Sequence, residues 1–214
     1  MKDIDTASLE QLSVKEEGNQ LRIAGNDFSV AFDTNTSFMT SLKYGQKEFV
    51  YGGSTLILNW YRSINNDRYT DQNYYETSCP SPLFTYQKSV DGKSVVVLTS
   101  CKAVVQSPAP VTIDYLIRYT IYSNGMIDVD ATFTKPEKAD IIRRLGLQMV
   151  LPQEFDQVKW YGRGPHENYT DRRHSAYFGQ YANTVKGMEE YYVRSQSTVS
   201  YTHLRAHETT LHLV

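Results

Sequence analysis

The sequence predicts an all-β chain folded as an antiparallel β-sandwich, on three observations. Almost every ordered-looking segment alternates apolar and polar residues with period two, an Asn-Gly turn joins two long alternating runs, and no βαβ alternation interrupts them. Strands of this kind bury one face and wet the other, so their sheets need a second layer to cover the apolar side.

The elements follow in order. Leu21-Arg22-Ile23 and Phe28-Ser29-Val30-Ala31-Phe32 flank the turn-forming Gly25-Asn26-Asp27, and a second turn at Asp33 to Ser37 leads to Met39-Thr40-Ser41-Leu42-Lys43-Tyr44, making a meander. Ser94 to Val105 reads as a further strand. The runs Ile113 to Tyr122 and Met126 to Phe133 are joined by Ser123-Asn124-Gly125, a strong short-range hairpin signal. In the second of these strands Ile127, Val129, Ala131 and Phe133 are expected to face the core, with Asp128, Asp130 and Thr132 in water. The stretch from Asn59 to Ser81, crowded with Asn, Asp, Arg, Tyr and Ser, breaks the alternation and is too long for an idle connection.

Composition narrows the partners. The 214 residues, 40% hydrophobic, suffice for one large domain or two small ones. With 22 basic against 24 acidic residues the formal net charge is −2, which leaves no broad field to draw in nucleic acid or an anionic membrane, so neither is an expected partner. The 17 tyrosines suit half-buried sheet faces, interfaces and sugar-stacking surfaces alike. Cys79 and Cys101 lack a CxxC pattern and histidines at zinc-finger spacing, so no metal site is expected. One disulfide in an exported protein is open to them, but the expectation is buried free thiols in facing strands. Neither an N-terminal h-region nor a run of the roughly 18 to 20 apolar residues needed to cross a bilayer is present. Met1 is as consistent with an internal methionine of a longer reading frame as with a start.

One run exceeds what a generic sandwich strand requires. Trp160-Tyr161-Gly162-Arg163-Gly164-Pro165-His166-Glu167-Asn168-Tyr169-Thr170-Asp171-Arg172 closely resembles the W-x-G-x-G-P-x-E-N-Y-x-D-R signature of the C-terminal, small-chain domain (domain 5) of bacterial β-galactosidases of glycoside hydrolase family 2. Asn59-Trp60-Tyr61-Arg62-Ser63-Ile64-Asn65-Asn66-Asp67 resembles a variant of the family's W-R-A-P-T-D-N-D segment, keeping the tryptophan, the arginine and the closing Asn-Asp but departing at Tyr61 and at Ser63 to Asn65. The resemblance covers roughly Leu21 to Gln196. It implies a supersandwich similar to galactose mutarotases, incomplete at its C-terminal end. It further implies a place as the last domain of a much longer retaining glycosidase whose catalytic glutamates sit in a (β/α)₈ barrel outside this chain. No catalytic residue and no cofactor are then expected here, although full-length family members often use Mg and a monovalent cation. The implied partners are that barrel, the other domains of the parent enzyme and, through them, a galactoside. Localisation stays open between the cytoplasm and periplasm of a bacterium.

The expected organisation is a leader or linker over 1–20, the sandwich over 21–197 and a non-native tail over 198–214. Val199-Ser200-Tyr201-Thr202-His203-Leu204-Arg205-Ala206-His207-Glu208-Thr209 reads as the translation of a transposase-type sequencing adapter, so His203, His207 and His212 are not read as metal ligands. Within the signature, Glu167 and Asp171 stand four apart and resemble an acid–base pair, with His166 and His174 near in sequence. The glycines and Pro165 instead indicate a tight loop whose carboxylates pair with Arg163, Arg172 or Arg173 and whose Tyr169 packs inward, a structural role for Trp160, Gly162, Gly164, Pro165, Glu167, Asn168, Tyr169, Asp171 and Arg172. Arg62, Asn66 and Asp67 are candidate contacts to sugar or to the barrel, against the alternative of a solvated loop. A second function from another class, a stand-alone carbohydrate-binding or mutarotase-like module using a His and a carboxylate, competes with the accessory-domain reading.

Overall fold

The alternating runs become strands where the period places them. The computed structural model describes residues 10–53, 56–59, 77–105, 111–134, 145–166 and 173–188, and the chain divides into two units, Met1–Arg62 with Tyr69–Pro152 and Ser63–Arg68 with Gln153–Val214. No α-helix occurs among the described residues.

In the first unit β1 (Ser13–Glu17), β2 (Gln20–Ala24), β3 (Phe28–Asp33), β4 (Met39–Tyr44) and β5 (Lys47–Glu48) form an antiparallel meander in chain order. The expected turn after β3 is held by the Asp33 carboxylate, which accepts the amides of Asn35 at 2.8 Å and Thr36 at 2.9 Å. The chain continues through β6 (Ile57–Asn59), β7 (Thr77–Ser78), β8 (Leu83–Lys88), β9 (Ser94–Val105), β10 (Val111–Tyr122), β11 (Ile127–Thr134) and β12 (Gly146–Gln148). A second antiparallel sheet runs β11, β10, β9, with β7 and β8 both paired to β9, while β6 pairs with β12.

The two larger sheets cover each other's apolar faces. Residues Val95, Val97, Thr99, Cys101 and Ala103 of β9 and Ile113, Tyr115, Ile117, Tyr119 and Ile121 of β10 are buried in strict alternation. All of them except the polar Thr99 share one cluster with Leu21, Ile23, Val30, Phe32, Met39 and Leu42 of the meander. Phe32 of β3 meets Tyr119 edge-on at 5.1 Å and lies 6.0 Å from Phe84 of β8, so aromatic contacts cross the interior from sheet to sheet. The burial that results holds the Tyr119 hydroxyl far above the usual tyrosine range, with the neighbouring Tyr115 adding to the shift. This is the antiparallel sandwich that the alternation predicts.

The Asn-Gly hairpin forms as expected. Gly125, at φ 86°, takes the left-handed conformation that closes the turn, Tyr122 N donates to Met126 O at 2.9 Å, and the Asn124 side chain accepts the Met126 amide at 3.0 Å. Tyr44 donates its hydroxyl to the Gly125 carbonyl at 2.6 Å, tying the meander to this turn.

Two expectations are corrected. Val129 is 42% exposed although its cross-strand partner Tyr119 is 1% exposed: it lies on the inward face, but β11 is the outermost strand of its sheet among the described residues and only partly covered. Cys79 and Cys101 are not free thiols but a disulfide, with Cα atoms 5.9 Å apart. β7 pairs with the end of β9 at Ser78↔Val104 and β8 resumes pairing at Leu83↔Ser100, so the intervening chain brings Cys79 beside Cys101 within the separation a disulfide needs.

The end of the meander rests on Glu48. Its carboxylate accepts the Ser41 hydroxyl at 2.5 Å and the amides of Leu42, Phe49 and Val50 at 2.8, 3.0 and 3.0 Å. Burial works against the charged form, but the bonds from Ser41 and then from the three amides outweigh it, so the carboxyl titrates below the ordinary glutamate value of 4.5. A depressed folded pKa contributes stability above the unfolded value and loses it as pH falls through the folded one. Glu48→Ala is therefore expected to cost about 2–3 kcal/mol near neutral pH. In urea melts the gap to the parent chain should narrow once pH drops below the ordinary glutamate value; a gap that stays constant to pH 3 contradicts this account.

Candidate functional site

Two places carry the residues singled out by sequence. The first is the entry to the polar segment, where β6 ends at Asn59. Asn59 Nδ2 donates to Gln148 Oε1 of β12 at 2.5 Å, while its own Oδ1 is buried and has no partner among the described residues. Arg62, Asn66 and Asp67 follow it and lie outside the described residues. The chain enters the second sheet at β7, immediately before the disulfide.

The second place is the signature itself, in the second unit. There β13 (Gln157–Gly164) and β14 (Tyr177–Thr184) form an antiparallel ribbon, with single 3₁₀ turns at Arg173–Ser175 and Lys186–Met188. Register sets Trp160 against Tyr181, Gly162 against Gly179 and Gly164 against Tyr177, so these residues share one face. The Trp160 and Tyr181 rings stack with centroids 5.3 Å apart.

The glycines make room for those rings. A Cβ on Gly164 would stand 2.8 Å from Tyr181 Cδ2 and 3.2 Å from Trp160 Cζ2, and one on Gly179 would stand 3.3 Å from the Tyr181 ring. Trp160 Nε1 donates to the Arg163 carbonyl at 3.1 Å, and the Tyr181 hydroxyl donates to the Tyr177 carbonyl at 2.8 Å, so each ring is also fastened by its polar tip. On the other face Arg163 lies over the Phe178 ring at 4.9 Å, and its Nη1 donates to the Ala176 carbonyl at 3.2 Å. Pro165 follows Gly164 through a cis peptide and is exposed, as is His166. The rest of the signature singled out by sequence, Glu167, Asn168, Tyr169, Asp171 and Arg172, lies outside the described residues.

Sequence reading missed the partner strand. Tyr177, Phe178, Gly179 and Tyr181 supply half of the ribbon's contacts, and the signal was present in the spacing: Gly179-Gln180-Tyr181 mirrors Trp160-Tyr161-Gly162 across the ladder. Among the described residues no three His, Cys, Asp or Glu side chains stand together as a metal site, and no metal is assigned to them.

The family model for the β-galactosidase small chain matches residues 24–212 of this sequence. The chain belongs to that family. Its similarity to β-galactosidases extends over most of its length: 26% identity over 91% of the chain with the enzyme of Priestia megaterium, 29% over 78% with that of Lactobacillus delbrueckii subsp. bulgaricus and 27% over 86% with that of Halalkalibacterium halodurans. The aligned region is 19%, 16% and 18% of those three proteins, so the chain spans less than a fifth of the relatives it matches.

Packing of rings on bare glycine gives a sharp test. Gly164→Ala forces the Tyr181 ring to move and is expected to cost about 1–3 kcal/mol in denaturant melts, the usual range for overpacking. In a double-mutant cycle with Tyr181→Ala the two losses should fall short of additive, because removing the ring clears the space. Strict additivity would mean that ring and glycine do not share that space.

Proposed function

We propose that this chain is a non-catalytic sandwich domain of a larger β-galactosidase, bracing the catalytic barrel and helping to form the sugar pocket. The observation that carries this reading is the pairing of a small-chain family match over residues 24–212 with a span below a fifth of the β-galactosidase relatives. Chemistry points the same way. A (β/α)₈ barrel is a parallel structure of about 250 residues, whereas every strand pair described here is antiparallel. Retaining hydrolysis requires two carboxyl groups about 5 Å apart across the glycosidic bond, and this reading places both in the barrel.

Within the domain, Arg62, Asn66 and Asp67 serve as contacts to sugar or to the neighbouring barrel. Glu167, Asn168, Tyr169, Asp171 and Arg172 serve the architecture of the loop that leaves β13. The partners are the barrel and the remaining domains of the parent enzyme.

Purified alone, the chain is expected to hydrolyse a chromogenic β-galactoside no faster than buffer. Turnover that disappears on changing Glu167 or Asp171 would overturn the assignment. The tail over 198–214, read as translated adapter, is expected to contribute nothing to the fold. Truncation after residue 197 should then change stability by no more than about 0.5 kcal/mol. Because the family match runs to residue 212, a loss of several kcal/mol would instead assign the tail to the domain.

A further inference from the structure

We propose that this chain matures in an oxidising compartment, where the bond between Cys79 and Cys101 is made and fastens the exit of the polar segment to the second sheet. The inference stands apart from the proposed function, since it rests on strand placement and thiol chemistry alone.

The geometry is specific. β7 holds to β9 by only two register pairs, Thr77↔Val105 and Ser78↔Val104, before the chain leaves the ladder and returns at Leu83↔Ser100. The bridge sits in that break and joins Cys79, between β7 and β8, to Cys101 of β9, 22 positions on in sequence. Cys101 is 5% exposed and faces the equally buried Tyr115 on β10, so one end of the bridge is built into the core. Cys79 is half-buried and packs against the same cluster. Two residues of ladder are a weak hold for a strand, and a covalent tie directly beyond them supplies what the hydrogen bonds lack.

Formation of the bond is a two-electron exchange. The Cys79 thiolate attacks a disulfide carried by a thiol oxidoreductase, giving a mixed disulfide and releasing one oxidoreductase thiol. The Cys101 thiolate then displaces the second sulfur, closing the Cys79–Cys101 bond. Two protein thiols are oxidised, and one oxidoreductase disulfide is reduced to two thiols. A cytosolic glutathione and thioredoxin pool runs this exchange backwards, whereas the periplasm and the extracellular space sustain it. The protein that carries this chain is on this account an exported one.

The test uses the full chain made twice, with a secretion signal to the periplasm and without one in a reducing cytosol. Each preparation is unfolded in iodoacetamide and its intact mass measured. The secreted chain should take up no alkyl group until a reductant is added and two thereafter; the cytosolic chain should take up two at once. Reduction, or the double change Cys79→Ser with Cys101→Ser, should lower the thermal midpoint by roughly 5–15 °C. Should the secreted chain be recovered unfolded, refolding the cytosolic chain with oxidised glutathione gives the same mass readout. Two alkyl groups on the oxidised preparation without reductant overturn the bond. An unchanged midpoint on reduction overturns the fastening, and a parent reading frame that opens without an export signal overturns the compartment.

Discussion

The buried face shared by β9 and β10 is the constraint on which the first unit depends. Their ladder runs unbroken from Val111↔Val105 to Tyr122↔Ser94, the longest pairing described in the chain, and every second residue on one side of it is buried. β7, β8 and β11 are added to its edges, and the meander packs against its face through Phe32 and its neighbours. A slip of one residue between β9 and its partners would turn Val95 and Val97 to water and bring Lys102 inward, so the register is enforced by the hydrophobic pattern itself. At the same end of the ladder the turn at Gly125 sets the register of β10 with β11, and the Tyr44 hydroxyl bond ties the meander to that turn.

Much of this was legible in the residues because strand period and turn chemistry are local. Ser94 to Val105 and the hairpin through Asn124 lie where alternation places them, and the Asp33 turn follows from a carboxylate able to accept amides two and three residues ahead. What escaped depends on neighbours distant in sequence. Val129 has the right parity to be buried, but parity does not say which strand ends a sheet. The disulfide depends on the double pairing of β9 with β7 and β8, which no spacing between two cysteines reveals. Glu48 looks like any exposed glutamate in the sequence and becomes the acceptor for four donors only once the chain turns around it.

The candidate sites divide along the same line. The signature announced family membership by itself, since a run of that length and composition has few other uses, and the small-chain match over residues 24–212 agrees with it. Arg163 was read as a partner for loop carboxylates. Those carboxylates lie outside the described residues; among the contacts Arg163 makes are the Phe178 ring and the Ala176 carbonyl, both supplied by chain that the motif does not include. Charge in a motif invites an electrostatic reading, yet here the guanidinium also serves as a flat surface and a donor to backbone.

Trp160 and Gly164, with Tyr181 and Gly179 across the ribbon, make a further point about what such a signature records. Two large rings lie on a strip of chain kept bare of side chains, so tryptophan and glycine are bound to one another as volume and void. This pairing of ring and glycine serves the packing of the ribbon and involves no reacting group, so a lineage that had lost hydrolytic activity could still be held to it. A search built on these letters therefore traces descent, and a degenerate relative with no remaining activity would score as well as a working enzyme.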